Sequence, residues 1–178
     1  MPSLFSLIDS FEKLPTEHSR YASFNFSWST CMGTTGEERQ RTLNNFYFEV
    51  TMMLMTYALC YRKKAIEILK ESKSDTQFDN NSKEISSSLC IAAGIFEYIP
   101  NYLVYWGEEV SPFPFPEQYK STFDLLSSLC VAEAQMVTVK KAHIKKMSVG
   151  NIAKLSKGFI LIYFDFFFFI LFIYIFFF

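Results

Sequence analysis

Four cysteines and two histidines are the residues of this chain whose side chains most often ligate metals or act in catalysis. They are Cys31, Cys60, Cys90, Cys130, His18 and His143. The cysteines stand 29, 30 and 40 residues apart, whereas zinc sites and thioredoxin-like redox centres need pairs about two to four residues apart. This spacing predicts four small buried apolar residues rather than a metal site or disulfides.

Motifs for enzymes and for nucleic-acid binding are also missing from the sequence. His143 lies among lysines, where a surface role is more common than general-base catalysis. No glycine-rich phosphate loop or nucleophile elbow is present, and the basic patches lack the alternating aromatic residues of a base-stacking platform. We therefore expect no enzymatic activity, cofactor, metal ion, small-molecule substrate or nucleic acid.

The remaining chemistry is electrostatic, and it is concentrated in the stretch LCVAEAQMVTVKKAHIKK, residues 129–146. No acidic residue lies between Glu133 and Asp165. The lysines of this region are Lys140, Lys141, Lys145, Lys146, Lys154 and Lys157. They form either a solvated basic face or a surface that meets an acidic helix or an anionic membrane.

Hydrophobic periodicity predicts that three helices position these residues. The first begins at Thr51 and runs to a polar segment, residues 72–83. The second begins near Ser82 and ends at Pro100, with its apolar stripe formed by Ile85, Leu89, Ala92, Ala93 and Phe96. The third begins near Pro116 and has an apolar face formed by Leu125, Leu129, Ala132, Met136 and Val139. Facing away from that stripe are Glu133, Lys140 and Lys141.

A β-hairpin is predicted before the helices. The segment YASFNFSW, residues 21–28, places Phe24, Phe26 and Trp28 on one side, and NFYFEV, residues 45–50, repeats the two-residue period. A long loop containing two glycines separates the two segments.

Three motifs in this order resemble the Bro-one domain, the ESCRT-associated domain found in Alix and Brox. They are FNFSW at 24–28, AAGIFEYI at 92–99 and AEAQMVTVKKA at 132–142. The Val-Thr pair of the third motif is more similar to Brox than to Alix. Only the N-terminal part of the domain is represented, because the resemblance stops near Ser156.

The resemblance implies a mainly α fold, a partial boomerang-shaped helical solenoid with a short N-terminal β-hairpin. It also implies a non-enzymatic adaptor whose groove binds the amphipathic C-terminal helix of an ESCRT-III subunit in endosomal sorting. The family's groove positions fall on Asp79, Thr138, Lys141, Asn151 and Leu155, with Ile152 as a one-residue alternative. Thr138 and Asn151 stand where Alix has apolar residues, which predicts weaker binding.

A hydrophobic tail, residues 158–178, follows the partial Bro-one domain of residues 1–157. The twenty residues from Phe159 span about 30 Å as a helix, enough to cross a bilayer. Two interpretations stay open. The tail is a C-terminal membrane helix with a cytosolic body, or it is translated intron sequence in a truncated product, since Phe, Ile, Leu and Tyr share thymine-rich codons.

Two functions follow from these patterns. The first is the ESCRT-III adaptor, located in the cytoplasm or at the endosomal periphery and impaired by the truncation. The alternative is a small tail-anchored membrane protein whose helical body does not bind ESCRT-III.

Overall fold

The computed structural model describes residues 25–30, 40–105 and 116–158. Two strands come first, β1 (Phe26–Ser29) and β2 (Gln40–Leu43). The long helices α1 (Phe46–Glu71) and α2 (Asp75–Tyr98) follow, and the short helix α3 (Pro100–Leu103) comes next. After a 3-10 turn, Pro116–Gln118, helix α4 covers Lys120–Ile144 and helix α5 covers residues 149–158. The predicted fold class, mainly α with an N-terminal hairpin, is confirmed.

The hairpin is antiparallel, with Phe26 opposite Leu43. Its first strand matches the prediction in the described part, since Phe26 and Trp28 share one side and pack against Phe48 and Met52 of α1. The predicted second strand at residues 45–50 is wrong, because this segment starts α1. The Asn45 side chain accepts hydrogen bonds from the N–H groups of the first turn and so caps the helix.

The second helix begins seven residues before the predicted start at Ser82. The Ser74 hydroxyl accepts the N–H of Gln77 at 3.2 Å, an N-cap that starts the helix at Asp75. Phe78 is buried in the core, and its burial stabilises the helical conformation of the predicted polar segment from Asp75 onward. Turn-forming side chains therefore stabilise a helix start here rather than a loop.

Helix α2 lies between α1 and α4 and runs antiparallel to both. At one end, Met55 of α1 and Phe123 of α4 share a core cluster with Phe96. At the other end, Ala65 of α1 and Val137 of α4 share a cluster with Ile85. The predicted stripe of α2 is confirmed, because all five of its residues are buried.

The packed face of α4 is rotated relative to the predicted one. The residues that α4 buries in the two clusters shared with α2 are Phe123, Leu126, Cys130, Ala134 and Val137. Of the predicted face, Ala132 is buried, but Met136 is 41% exposed. Small residues occupy much of the true contact, because they allow α2 and α4 to approach closely.

Residues 159–178, interpreted above either as a membrane helix or as translated intron sequence, lie outside the described residues. Within the part of the chain that the structure describes, none of the helices combines the length and the apolar character that a bilayer crossing requires.

Candidate helix-docking groove

The second half of α4 carries the central residues of the predicted groove. Thr138 and Lys141 lie one turn apart on one face of the helix, and Lys145, the C-cap residue, follows Lys141 by four residues. Thr138 is exposed. Its hydroxyl donates a hydrogen bond to the Ala134 carbonyl at 3.1 Å, so the hydroxyl hydrogen is already paired within α4.

Asp79 of α2 contacts this face of α4. One carboxylate oxygen, Oδ1, lies 3.5 Å from Lys141 Nζ and 3.6 Å from Lys145 Nζ. The Lys141 ammonium also donates to Ser82 Oγ at 2.7 Å, and that hydroxyl donates to the Asp79 carbonyl at 2.7 Å. The side chains of Asp79 and Lys141 are each 35% exposed, whereas Ser82 and the Asp79 Oδ1 atom are shielded from solvent.

The charge of this cluster is not balanced. One carboxylate faces two ammonium groups, which gives a formal charge of about +1 for the three side chains at neutral pH. Lys140 makes a different contact, because its Nζ lies 4.1 Å from the centre of the Phe78 ring. The Asp79 cluster, meaning Asp79, Ser82, Lys141 and Lys145, is therefore a site that attracts one further negative charge.

A tight turn brings α5 back along α4. Lys146 has a positive φ of 50°, and the N–H groups of Lys146 and Met147 donate to the carbonyls of His143 and Ala142. These two bonds form a Schellman motif, in which the left-handed residue ends the helix. The chain then reverses, and Gln135 Nε2 donates to the Leu155 carbonyl at 3.0 Å.

The two apolar groove candidates on α5 share one side of that helix. Ile152 and Leu155 are one turn apart and half-buried, while Asn151 is exposed. Gln135 lies one turn before Thr138 on α4, and its hydrogen bond to the Leu155 carbonyl holds α5 at that point of α4. The structure thus brings Asp79 of α2 into contact with Lys141 of α4, one turn from Thr138, and it holds α5 against α4 through the Leu155 carbonyl.

Sequence reasoning missed Ser82, Lys145 and Gln135 as members of this site. The four-residue step from Lys141 to Lys145 was a usable signal, because it places both ammonium groups on one face. Ser82 lies one turn from Asp79 and could be found in the same way. Gln135 carried no signal, because its bond reaches a backbone carbonyl twenty residues away.

A second ion pair joins α4 to α1. Arg62 Nε and Nη2 donate to the two carboxylate oxygens of Glu133 at 2.9 and 2.5 Å. Glu133, predicted to lie away from the packed face, is thus held against α1. Glu133 also lines a small apolar crevice between α1, α2 and α4, whose other lining residues include Ile66, Leu69, Leu89 and Met136.

The cysteines differ from one another. Cys130 is buried as predicted, and burial raises the pKa of its thiol to about 12, with a smaller contribution from the charge of Glu133. The prediction is wrong for Cys60 and Cys90, which are exposed, and Cys31 lies outside the described residues. No group of three or more metal-ligating side chains occurs within residues 25–30, 40–105 and 116–158.

Comparison with known proteins gives two matches. A family model described as the BRO1-like domain matches residues 7–170. The match extends beyond Ser156, where the resemblance was expected to stop. The BRO1 domain-containing protein BROX of Xenopus tropicalis is 28% identical over 155 residues, which cover 86% of this chain and 36% of that relative. This chain spans about a third of the relative's length. No solved structure matches.

Proposed function

Because this chain belongs to the BRO1-like domain family, we propose that it is a non-enzymatic adaptor in endosomal sorting that binds the C-terminal amphipathic helix of an ESCRT-III subunit. The family is ESCRT-associated, which supports a protein partner in that pathway. The proposed location is the cytoplasm or the endosomal periphery. The chain spans about a third of its relative's length. That it shares the activity of the whole relative is therefore part of the proposal.

The observation that carries the proposal is the meeting of Asp79 and Lys141 beside Thr138. Residues from two helices, 59 or more positions apart in the chain, meet in a basic cluster. Helix α4 also holds α5, which carries the half-buried side chains of Ile152 and Leu155, through the hydrogen bond from Gln135. An amphipathic helix with acidic and leucine-like residues has the complementary pattern.

Apolar contact supplies most of the expected affinity. Full burial of a large aliphatic side chain contributes about 1.5 to 3 kcal/mol, and Ile152 and Leu155 gain only part of this because they are already half-buried. Exposed ion pairs add about 0.2 to 1 kcal/mol each. Thr138 and Asn151 contribute little apolar area, so we expect an affinity below that of a fully apolar groove.

The test is a pull-down of the full chain with an ESCRT-III C-terminal peptide. Leu155→Asp is expected to abolish binding, because it places a charge among the apolar contacts. Val149→Asp is the matched control, since it adds the same charge to α5 at a residue that is 83% exposed. Circular dichroism checks that both variants fold. Unchanged binding by folded Leu155→Asp would contradict the groove assignment.

A second candidate function is that of a tail-anchored membrane protein. Exposed lysines, Lys154 and Lys157 among them, precede the apolar segment 159–178 and favour contact with an anionic cytosolic leaflet. Alkaline carbonate extraction of cell membranes is the test. An anchored chain stays in the pellet, whereas a chain held by protein contacts alone is released.

A further inference from the structure

We infer that Asp79 is an internal competitor that occupies the position of a partner's carboxylate between Lys141 and Lys145. It thereby sets how much negative charge a partner helix needs in order to bind. The inference rests on the proposed docking of an acidic amphipathic helix. It adds a role for Asp79 that opposes binding, whereas Lys141 and Lys145 favour it.

The contacts of Asp79 are those of a loosely held counter-ion. Its Oδ1 reaches both ammonium groups, but at 3.5 and 3.6 Å, longer than the roughly 2.7 to 2.9 Å of a charge-assisted hydrogen bond. Oδ1 is shielded from solvent and forms no hydrogen bond. The carboxylate therefore neutralises charge without the geometry that would hold it firmly.

Lys141 has a second contact that does not depend on the Asp79 carboxylate. Lys141 is held by its 2.7 Å hydrogen bond to Ser82, and Ser82 bonds to the backbone carbonyl of residue 79 rather than to its side chain. Replacing the Asp79 carboxylate by an amide leaves both of these bonds in place. The substitution consequently changes charge more than structure.

The charge count gives the direction of the effect. With Asp79 the three facing side chains sum to about +1, and with asparagine they sum to about +2. Each exposed ion pair that a partner gains contributes about 0.2 to 1 kcal/mol, which corresponds to an increase in affinity of about 1.4- to 5-fold. Screening by salt must reduce this gain, because the lysine side chains are partly exposed.

The experiment measures binding of an acidic ESCRT-III C-terminal peptide to the full chain. Fluorescence anisotropy of the peptide gives the Kd at low and at high salt. Asp79→Asn is compared with Glu84→Gln. Glu84 also lies on α2 and is exposed, but it pairs with Lys64 at 2.8 Å, so its neutralisation changes the net charge equally at another place. A second peptide, with glutamine in place of its glutamates, measures the part of the affinity that is not electrostatic.

The expected result is that Asp79→Asn lowers the Kd for the acidic peptide by about 1.4- to 5-fold and by more than Glu84→Gln does. The gain is smaller at high salt and absent for the glutamine peptide. Glu84→Gln is expected to change the Kd by less than about 1.5-fold. Equal affinities of the two variants would overturn the inference and leave the proposed function standing. Weaker binding by Asp79→Asn would show instead that Asp79 contacts the partner favourably. Failure of the unmodified chain and of both variants to bind would overturn the proposed function and the inference with it.

Discussion

Two ion pairs join α4 to neighbouring helices, and they differ in the number of bonds, the length of those bonds and the exposure of the side chains. The Arg62–Glu133 pair is bidentate, and its side chains are 29% and 17% exposed. The Asp79–Lys141 pair is a single contact at 3.5 Å between side chains that are each 35% exposed. A short, two-bond pair fixes two helices relative to one another. The longer, single contact joins side chains that are more exposed as a whole, and we propose that it exchanges with an outside carboxylate.

The position of each pair agrees with this division. Arg62–Glu133 lies beside the apolar crevice of the core, where α1 and α4 flank α2. The Asp79 cluster lies where α4 carries exposed Thr138 and approaches its lysine-rich end. Helix α4 thus combines a structural contact toward α1 with the proposed binding surface, which it would share with α2 and α5.

The largest effect on stability is expected from breaking the structural pair. Glu133→Ala removes two hydrogen bonds to a guanidinium at a shielded site, and we expect the free energy of unfolding to fall by about 1 to 3 kcal/mol. Urea denaturation measures this change. Asp79→Ala serves as the comparison, since its more exposed contacts should cost less than about 1 kcal/mol. Equal losses for the two variants would contradict the division between the pairs.

A smaller effect, on binding rather than stability, is expected from the exchangeable pair. Lys141→Ala should raise the Kd for an ESCRT-III C-terminal peptide by about two- to fivefold, because one exposed ion pair is lost. The control is Lys63→Ala, a lysine on α1 that is 77% exposed and pairs with Glu67 along its own helix. The account would fail here if both substitutions weakened binding to the same extent.

The smallest effect is expected at the turn that places α5. Lys146 has a φ of 50°, a conformation that costs a residue with a β-carbon about 1 to 2 kcal/mol. Lys146→Gly removes this cost but increases the freedom of the unfolded chain, so we expect a net stabilisation of up to about 1 kcal/mol. Thermal unfolding monitored by circular dichroism tests it. A loss of stability would show that the lysine side chain, rather than the backbone, governs this turn.

The sequence was most informative where large apolar side chains recur at helical spacing. The stripe from Ile85 to Phe96 on α2 is correct, because few arrangements other than a packed helix bury such a series. On α4 the same reasoning selected Met136 in place of Cys130 and Ala134. Small side chains carry a weak hydropathy signal but allow close helix contact, so the true face was overlooked.

Local capping explains the errors at element boundaries. The alternation of Phe46, Phe48 and Val50 fits a strand as well as it fits the first turns of a helix, and the Asn45 cap decides for the helix. Ser74 does the same for α2. Both caps are polar residues of the kind that also occurs in turns. For this reason the sequence pattern predicted a strand at residues 45–50 and a polar connection at residues 72–83.

The groove residues came from family resemblance rather than from periodicity. No periodic pattern connects Asp79 with Lys141, because their contact joins two helices through side-chain charge. The resemblance located both, and the structure places them together, but it gave no indication that they neutralise each other. That relation depends on the interhelical distance, which only the folded arrangement defines.

The most direct test of the account is to locate a bound partner helix by site-specific photocrosslinking. A benzoylphenylalanine replaces Thr138 in the full chain, and in a matched variant it replaces Met53 of α1, which is 53% exposed and lies on another helix. The account predicts that an ESCRT-III C-terminal peptide crosslinks to the variant at residue 138 and not to the one at residue 53. Crosslinking at residue 53 alone, or equally at both positions, would contradict it.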